Sequence, residues 1–244
     1  MSEEFDRLVA EGLSTPFEGW DFGVFEGRYQ EGDEPWSYAA IVRERMASAG
    51  AMLDMGTGGG EFLASLGALP EWTVATEGYA PNVPVARARL APLGVEVVEV
   101  GEDDVLKFPD SVFDLVINRH ESFDPGEVGR VLKPGGVFVT QQVGGRDVEE
   151  VNAALGGPEH AYRGWDLAEA VTEVSGAGLE VEWSEEARVP GRFLDVGALV
   201  LFLRITEWQV PGFSVEGYRE RLRGVRMPLE VHAHRFALVA RRPA

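Results

Sequence analysis

The chain of 244 residues has no cysteine. Disulfides, thiolate-held metal and a cysteine nucleophile are excluded at once. Lysine is almost missing too. Only Lys107 and Lys133 occur, and arginine supplies the rest of 22 basic residues, against 41 acidic ones. The formal charge of −19 disfavours nucleic acid as substrate, because phosphates must be met by clustered Lys and Arg. Arg219, Arg221, Arg223 and Arg226 form one local basic group, for which a solvated helix face is the expected reading. Long apolar runs are missing as well. The longest, Val196 to Leu203, stops at Arg204, short of the ~18 apolar residues of a membrane helix. The acidic start, Met1 to Asp6, lacks the apolar stretch of a secretory signal. A soluble cytoplasmic chain without a membrane partner is expected. Its oligomeric state is not readable from the sequence.

What is there begins with an apolar content of 45%, enough for a real core. The length suits one α/β domain with some elaboration. We expect a single domain over 1–244, with an N-terminal cap over 1–38, a cofactor-binding half over 39–143 and a substrate-side half over 144–244. The first 38 residues have no clean period and many aromatics, which reads as a short helix and an irregular cap. Strand and helix signals then alternate. Helices are expected over 39–49, 61–69, 84–93, 125–132 and 166–175. Strands are expected over 51–55, 72–76, 95–100, 113–117, 137–142 and 179–183. Residues 193–206 suit a buried helix, with a strand as the alternative. Ser214 caps a helix to Arg223, and 234–240 form a last strand. The alternation is a βαβαβ pattern, so a doubly wound, mostly parallel sheet with helices on both faces.

Gly56, Gly58 and Gly60 lie between the first strand and a helix. Without Cβ atoms, such a turn lets a ligand approach the backbone, at the strand end where open α/β sheets bind ligands. A turn that merely needs positive φ would look the same. Two ligand classes compete for this geometry. A dinucleotide fingerprint, Gly-x-Gly-x-x-Gly, places pyrophosphate on the helix N-terminus. Counted from Gly56, its third glycine is replaced by Glu61, and both Glu61 and Asp54 would repel pyrophosphate. A cationic nucleoside without phosphate suits an acidic, glycine-lined pocket. Glu77, at the end of the second strand, can accept from two ribose hydroxyls. Glu102, Asp103 and Asp104 follow the third strand, where a carboxylate can accept from an adenine amino group.

Together these residues resemble the class I, Rossmann-like S-adenosylmethionine-dependent methyltransferases, of the type 11 kind. Leu53-Asp54-Met55-Gly56-Thr57-Gly58-Gly59-Gly60 is similar to that family's first motif, and Glu77 to its ribose-binding acid. Val100-Gly101-Glu102-Asp103 is similar to its adenine loop, with Glu102 for the usual Asp. Phe108 to Val116 and Leu132-Lys133-Pro134-Gly135-Gly136 match the stretches entering its fourth and fifth strands. The resemblance implies a seven-stranded sheet with an antiparallel last strand, and S-adenosylmethionine as cofactor. It implies cofactor contacts at Asp54, Gly56, Thr57, Gly58, Gly60, Glu77, Gly78, Tyr79, Glu102, Asp103, Asn118 and Arg119. The chain departs from the family after Glu77, where Gly78-Tyr79-Ala80-Pro81 is one residue longer than usual. Either the Gly78 backbone or the Tyr79 ring could pack on adenine, and either Glu102 or Asp103 could meet its amino group. The Asn-Pro-Pro-Tyr signature for base and amide acceptors is replaced by Asn118-Arg119-His120-Glu121.

Methyl transfer is an in-line displacement at an already activated sulfonium. The enzyme mainly aligns the partners and excludes water, for up to ~7–11 kcal/mol. The acceptor belongs above the ends of the fourth and fifth strands, near Asn118 to Glu121 and Gln141-Gln142. His120 is the first candidate base and Glu121 the second, although a histidine that merely caps the loop fits as well. Trp20, Arg28 and Trp208 are candidate walls for a small-molecule substrate, with core packing as the alternative. His120, Glu121, His232 and His234 show no metal-ligand spacing, and no metal is expected. Two rival functions are a methyltransferase-like binder without turnover and a nucleotide-dependent oxidoreductase.

Overall fold

The computed structural model describes residues 2–17, 22–101 and 105–244. Its elements in chain order begin with helix α1 (Ser2–Ser14), strand β1 (Tyr29–Glu31) and helix α2 (Tyr38–Met46). The alternating body follows: β2 (Ala51–Met55), α3 (Glu61–Ser65), β3 (Trp72–Glu77), α4 (Asn82–Leu90), β4 (Glu96–Glu99), β5 (Phe113–Arg119), α5 (Pro125–Val131) and β6 (Leu132–Val143). Then come α6 (Glu149–Leu155), α7 (Leu167–Gly176), β7 (Glu180–Phe193), α8 (Val196–Ile205), α9 (Val215–Gly224) and β8 (Leu229–Arg241). No helix among the described residues is long and apolar enough to cross a membrane.

The hydrogen-bonded strand order is β1-β7-β8-β6-β5-β2-β3-β4. Strands β6, β5, β2, β3 and β4 run parallel. The Arg242 N–H donates to the Gly136 carbonyl, and the Gly144 N–H to the His234 carbonyl, so β8 runs antiparallel to β6. The doubly wound sheet with an antiparallel last strand is thus present, with one strand more than the seven expected. The extra strand is β1, inside the stretch read as an irregular cap. Tyr29-Gln30-Glu31 pairs antiparallel with Phe193-Arg192-Gly191. Three residues are too few to show a period of two. They become a strand only because β7 runs on to Phe193, ten residues past the expected Trp183, and offers an edge to pair with.

Local chemistry explains the other differences. Helix α3 stops at Ser65, short of the expected Leu69, where Gly67 takes a φ of 94°. Residues 193–206 resolve as a helix from Val196. The Asp195 carboxylate accepts from the Gly197 and Ala198 N–H groups at 2.8 and 3.0 Å, a side-chain N-cap. Ser214 caps α9 through the Gly217 N–H, as expected. Helix α6 was not expected. It is short, and only Val151 and Leu155 of its seven residues are buried.

The chain divides into two units. One holds 1–34, 144–165 and 187–235, and the other 35–143, 166–186 and 236–244. The core of the first is built by α1, α6 and α8, with Val9, Val151, Leu155, Leu199 and Leu203 buried. Its arginines on α9 are engaged within the chain. Arg219 pairs with Asp6 and lies over the Phe5 ring, with Arg223 beside it. Arg221 donates to the Leu155 and Gly156 carbonyls at the end of α6. In the second unit, Met52, Ala75, Leu115, Ile117 and Val139 from the parallel strands pack on Val42, Leu63 and Leu90 from α2, α3 and α4. Every residue of β2 is buried, as befits a strand flanked on both edges and covered on both faces.

Candidate functional site

The turn after β2 is held by its neighbour β3. Thr57 donates its N–H to the Thr76 carbonyl at 2.9 Å, and Gly60 donates to the Thr57 carbonyl at 3.0 Å. Gly56, Gly58 and Gly60 all take left-handed φ values of 66°, 61° and 82°. Two of them differ in an instructive way. A Cβ on Gly56 would lie 2.4 Å from Glu121 Cγ, whereas a Cβ on Gly58 would meet nothing within 4 Å. Gly56 therefore serves internal packing, while Gly58 faces open space in which a ligand can reach the backbone.

Two carboxylates flank this turn, at the ends of adjacent strands. Asp54 and Glu77 are each only 4% exposed. Burial pushes the Asp54 carboxyl up to about 7, and the charge of Glu77 adds to the rise. Arg119 works in the opposite direction, as does the Thr57 hydroxyl beside Asp54, although that hydroxyl closes no hydrogen bond of ordinary geometry. Burial also raises Glu77, opposed by the backbone N–H groups of Tyr79, Gly58 and Gly78. The Tyr79 N–H donates to Glu77 Oε1 at 2.7 Å. Among the described residues neither acid forms an ion pair with a lysine or arginine, and buried acids of this kind favour a cation beside them. Glu61 plays a lesser part than its sequence position suggests. It is exposed and paired with Arg89, so its charge is compensated.

The buried polar side chains at the neighbouring end of β5 and β6 are neutral. Asn118 is fully buried. Its Oδ1 accepts from the Thr140 hydroxyl at 3.0 Å and from Gln142 Nε2 at 2.6 Å, while its Nδ2 has no partner. Gln142 Nε2 also lies 3.1 Å from the Glu121 carbonyl. His120 takes a left-handed φ of 61°, and its N–H donates to the Gln141 carbonyl at 2.8 Å. Its ring Nε2 lies 3.1 Å from Gln141 Nε2. Gln141 Oε1 in turn accepts from the Trp36 indole at 2.8 Å. Arg119 sits over the Phe62 ring at 5.1 Å.

The structure thus brings Asp54, Gly56, Thr57, Gly58, Gly60, Glu77, Gly78, Tyr79, Asn118, Arg119, His120 and Glu121 into one unit, at the carboxyl ends of β2, β3 and β5 and in the loops that follow. Tyr79 is 55% exposed. Trp20, Glu102 and Asp103 lie outside the described residues. Arg28 and Trp208 belong to the other unit. Arg28 is engaged there with Asp195, the cap of α8, through Nε at 2.9 Å, and Trp208 is half-exposed.

Sequence reasoning missed Tyr38 and Phe62. The Tyr38 hydroxyl donates to the Asn118 carbonyl at 2.8 Å and accepts the Asn118 N–H at 3.2 Å, so it fixes the backbone of β5 beside Asp54. No local signal marks it, because its partners lie 80 residues away.

A family model for a methyltransferase domain matches residues 53–140. No curated protein matches the chain by sequence. Among solved structures, a candidate methyltransferase of Bacillus halodurans is similar at 20% identity and a TM-score of 0.61, covering 84% of this chain and 99% of that one. The cyclase SpnF is similar at 19% identity and a TM-score of 0.58, over 99% and 94%. An S-adenosylmethionine-dependent methyltransferase of Aquifex aeolicus is similar at 15% identity and a TM-score of 0.52, over 99% and 98%. Identities this low speak for the fold alone, and the family match is confined to residues 53–140. Residues 53–140 thus match a methyltransferase-domain family, and the chain shares its fold with solved methyltransferase structures.

Proposed function

We propose that this protein is an S-adenosylmethionine-dependent methyltransferase acting on a small organic acceptor. The observation that carries the reading is the pair of buried acids, Asp54 and Glu77, beside a turn whose Gly58 opens onto empty space. The fit to the cofactor is chemical. A ligand with an ammonium and a sulfonium and no phosphate gains from buried carboxylates beside it. The same carboxylates oppose a pyrophosphate, which is why a nucleotide-dependent oxidoreductase is the weaker reading.

In this proposal Glu77 holds the ribose hydroxyls, and Gly56 to Gly60 give a close backbone approach. Asp54 and Arg119 set the charge beside the methionine part. Gly78 or Tyr79 packs on the adenine, with Glu102 or Asp103 at its amino group. The orphaned Nδ2 of Asn118, a donor with no partner in a buried place, suits an oxygen of cofactor or acceptor. When bound, the cofactor supplies a methyl on an electron-poor sulfur. The protein's task is to align an acceptor atom with that methyl and keep water out. His120 and Glu121, on the loop after β5, are the side chains proposed to face the acceptor, and Trp20, Arg28 and Trp208 remain proposed substrate contacts. The small-molecule preference draws on the acidic net charge. A soluble cytoplasmic setting is part of the same reading.

Calorimetry tests the proposal. S-adenosylhomocysteine should bind and NAD should not, and the reverse result would sink it. Transfer of labelled methyl from S-adenosylmethionine to a panel of small hydroxyl, amine and carboxylate acceptors then separates an enzyme from a binder without turnover. That second step matters because a cyclase shares this fold.

A further inference from the structure

Trp36, Gln141 and His120 form a directional chain of hydrogen bonds. An indole N–H is a donor and never an acceptor. Trp36 Nε1 lies 2.8 Å from Gln141 Oε1, so that end of the amide must be the oxygen. The other end is then the NH2 group, and it stands 3.1 Å from His120 Nε2. An amide NH2 donates only, so His120 Nε2 has to accept. The tautomer follows without reference to any bound ligand. We propose that Trp36 and Gln141 are positioning residues that hold the His120 ring neutral, with its proton on Nδ1.

The surroundings make this chain rigid. Gln141 is 2% exposed and is fixed within β6. It holds His120 twice, at the ring and through the backbone bond from the His120 N–H at 2.8 Å. That second bond also secures the left-handed φ of 61°, a conformation few non-glycine residues adopt. Trp36 packs edge-on against Trp183, with ring centroids 6.3 Å apart, which keeps its indole aimed at the amide.

This changes the part His120 can play. A base acting at Nε2 would first have to give up its bond from Gln141. On the methyl-transfer reading, from which this consequence is drawn, His120 orients the acceptor as a polar, neutral group, and no proton is drawn onto its Nε2. The reaction then relies on Glu121 as the base or on an acceptor that is already nucleophilic, such as a neutral amine or a carboxylate.

Long-range proton–nitrogen NMR on the full chain labelled with 15N-histidine reads the tautomer directly. Only four histidines are present, and His120→Asn assigns the signal. At mildly alkaline pH the wild-type His120 should show the Nδ1–H pattern, the opposite of the form that free histidine favours in water. Gln141→Glu presents an oxygen to the ring and should convert it to Nε2–H. Trp36→Phe removes the indole donor, releases the amide to rotate, and should give a mixture. An Nε2–H ring in the wild type overturns the proposal, and so does a Trp36→Phe protein whose tautomer is unchanged. The readout needs no ligand. A failure of the chain is therefore distinct from a failure of cofactor binding, which calorimetry with S-adenosylhomocysteine reports on the same samples.

Discussion

The end of β2 and β3 differs from the end of β5 and β6, though both belong to the same sheet. The first is defined by charge: Asp54 and Glu77 are buried, and neither forms an ion pair with a lysine or arginine among the described residues. The second is defined by direction: Asn118, Thr140, Gln142, Gln141 and His120 are neutral groups joined to one another by hydrogen bonds, while Nδ2 of Asn118 is left without a partner among the described residues. A charged site states the sign of its ligand. A hydrogen-bonded site states where a ligand's donors and acceptors must point, and that is a finer condition. This contrast explains why the nature of a cofactor emerges from the protein sooner than the identity of an acceptor.

The sharpest break of this comparison is at the glycines themselves. Gly56→Ala places a Cβ against Glu121 and strains a positive φ. Left-handed backbone and overpacking together should cost roughly 2–5 kcal/mol of stability, read as a lower urea midpoint. Gly58→Ala meets no atom within 4 Å, so only the backbone strain of ~1–2 kcal/mol applies. Its larger effect should be on ligand binding, and equal stability losses for the two variants would erase the distinction drawn between them.

Next come paired deletions, one at each end. Glu77→Ala should weaken S-adenosylhomocysteine binding by about 1–3 kcal/mol, the scale of hydrogen bonds to charged groups. An unchanged dissociation constant removes Glu77 from the site. Gln142→Leu takes a donor from the buried Asn118 Oδ1 and should lower stability by about 1–3 kcal/mol, with cofactor affinity little altered. If the two variants exchange phenotypes, the division into a charged end and a directional end is wrong.

The pH dependence sharpens the charged end alone. The fold raises Asp54 from 3.8 to about 7, so the folded state favours its protonated form. The stability this provides is complete below the unfolded value and is lost as pH rises through about 7. A cationic ligand prefers the carboxylate. Affinity for S-adenosylmethionine should therefore rise with pH up to about 7, by at most roughly tenfold per unit, with proton release detectable by calorimetry in buffers of differing ionisation enthalpy. Asp54→Asn should flatten the profile. A profile that stays as steep in the variant assigns the effect elsewhere.

The smallest effect expected is at Arg28. Its guanidinium is partly exposed and paired with Asp195 at the start of α8. Arg28→Met should lower the melting temperature by the equivalent of ~1 kcal/mol or less, since solvent screens such a pair. Cofactor affinity should be unchanged. A clear fall in turnover without loss of stability would support Arg28 as a substrate contact, and unchanged turnover would remove it.

How much was legible follows the same division. The strands β2, β3 and β5 show as apolar runs because burial on both faces leaves little room for polar residues. The glycine turn and Glu77 are legible because their spacing follows from one strand–turn–helix unit. The strand β1 was not, since it exists only as a partner for a far segment of β7. Tyr38 was not, since its hydroxyl serves a backbone 80 residues away. Glu61 misled in part: its sequence position suggests a repelling charge, and only the fold supplies Arg89 to offset it.

By itself the sequence determined the alternating fold and the acidic glycine turn, because each of these depends on neighbours within a few tens of residues. Tertiary structure decided the rest. It made Asp54 a buried acid, set Glu121 against Gly56, and gave Gln141 a direction through Trp36. Those properties depend on which distant atoms meet and on how completely water is removed between them, and neither is written in local spacing.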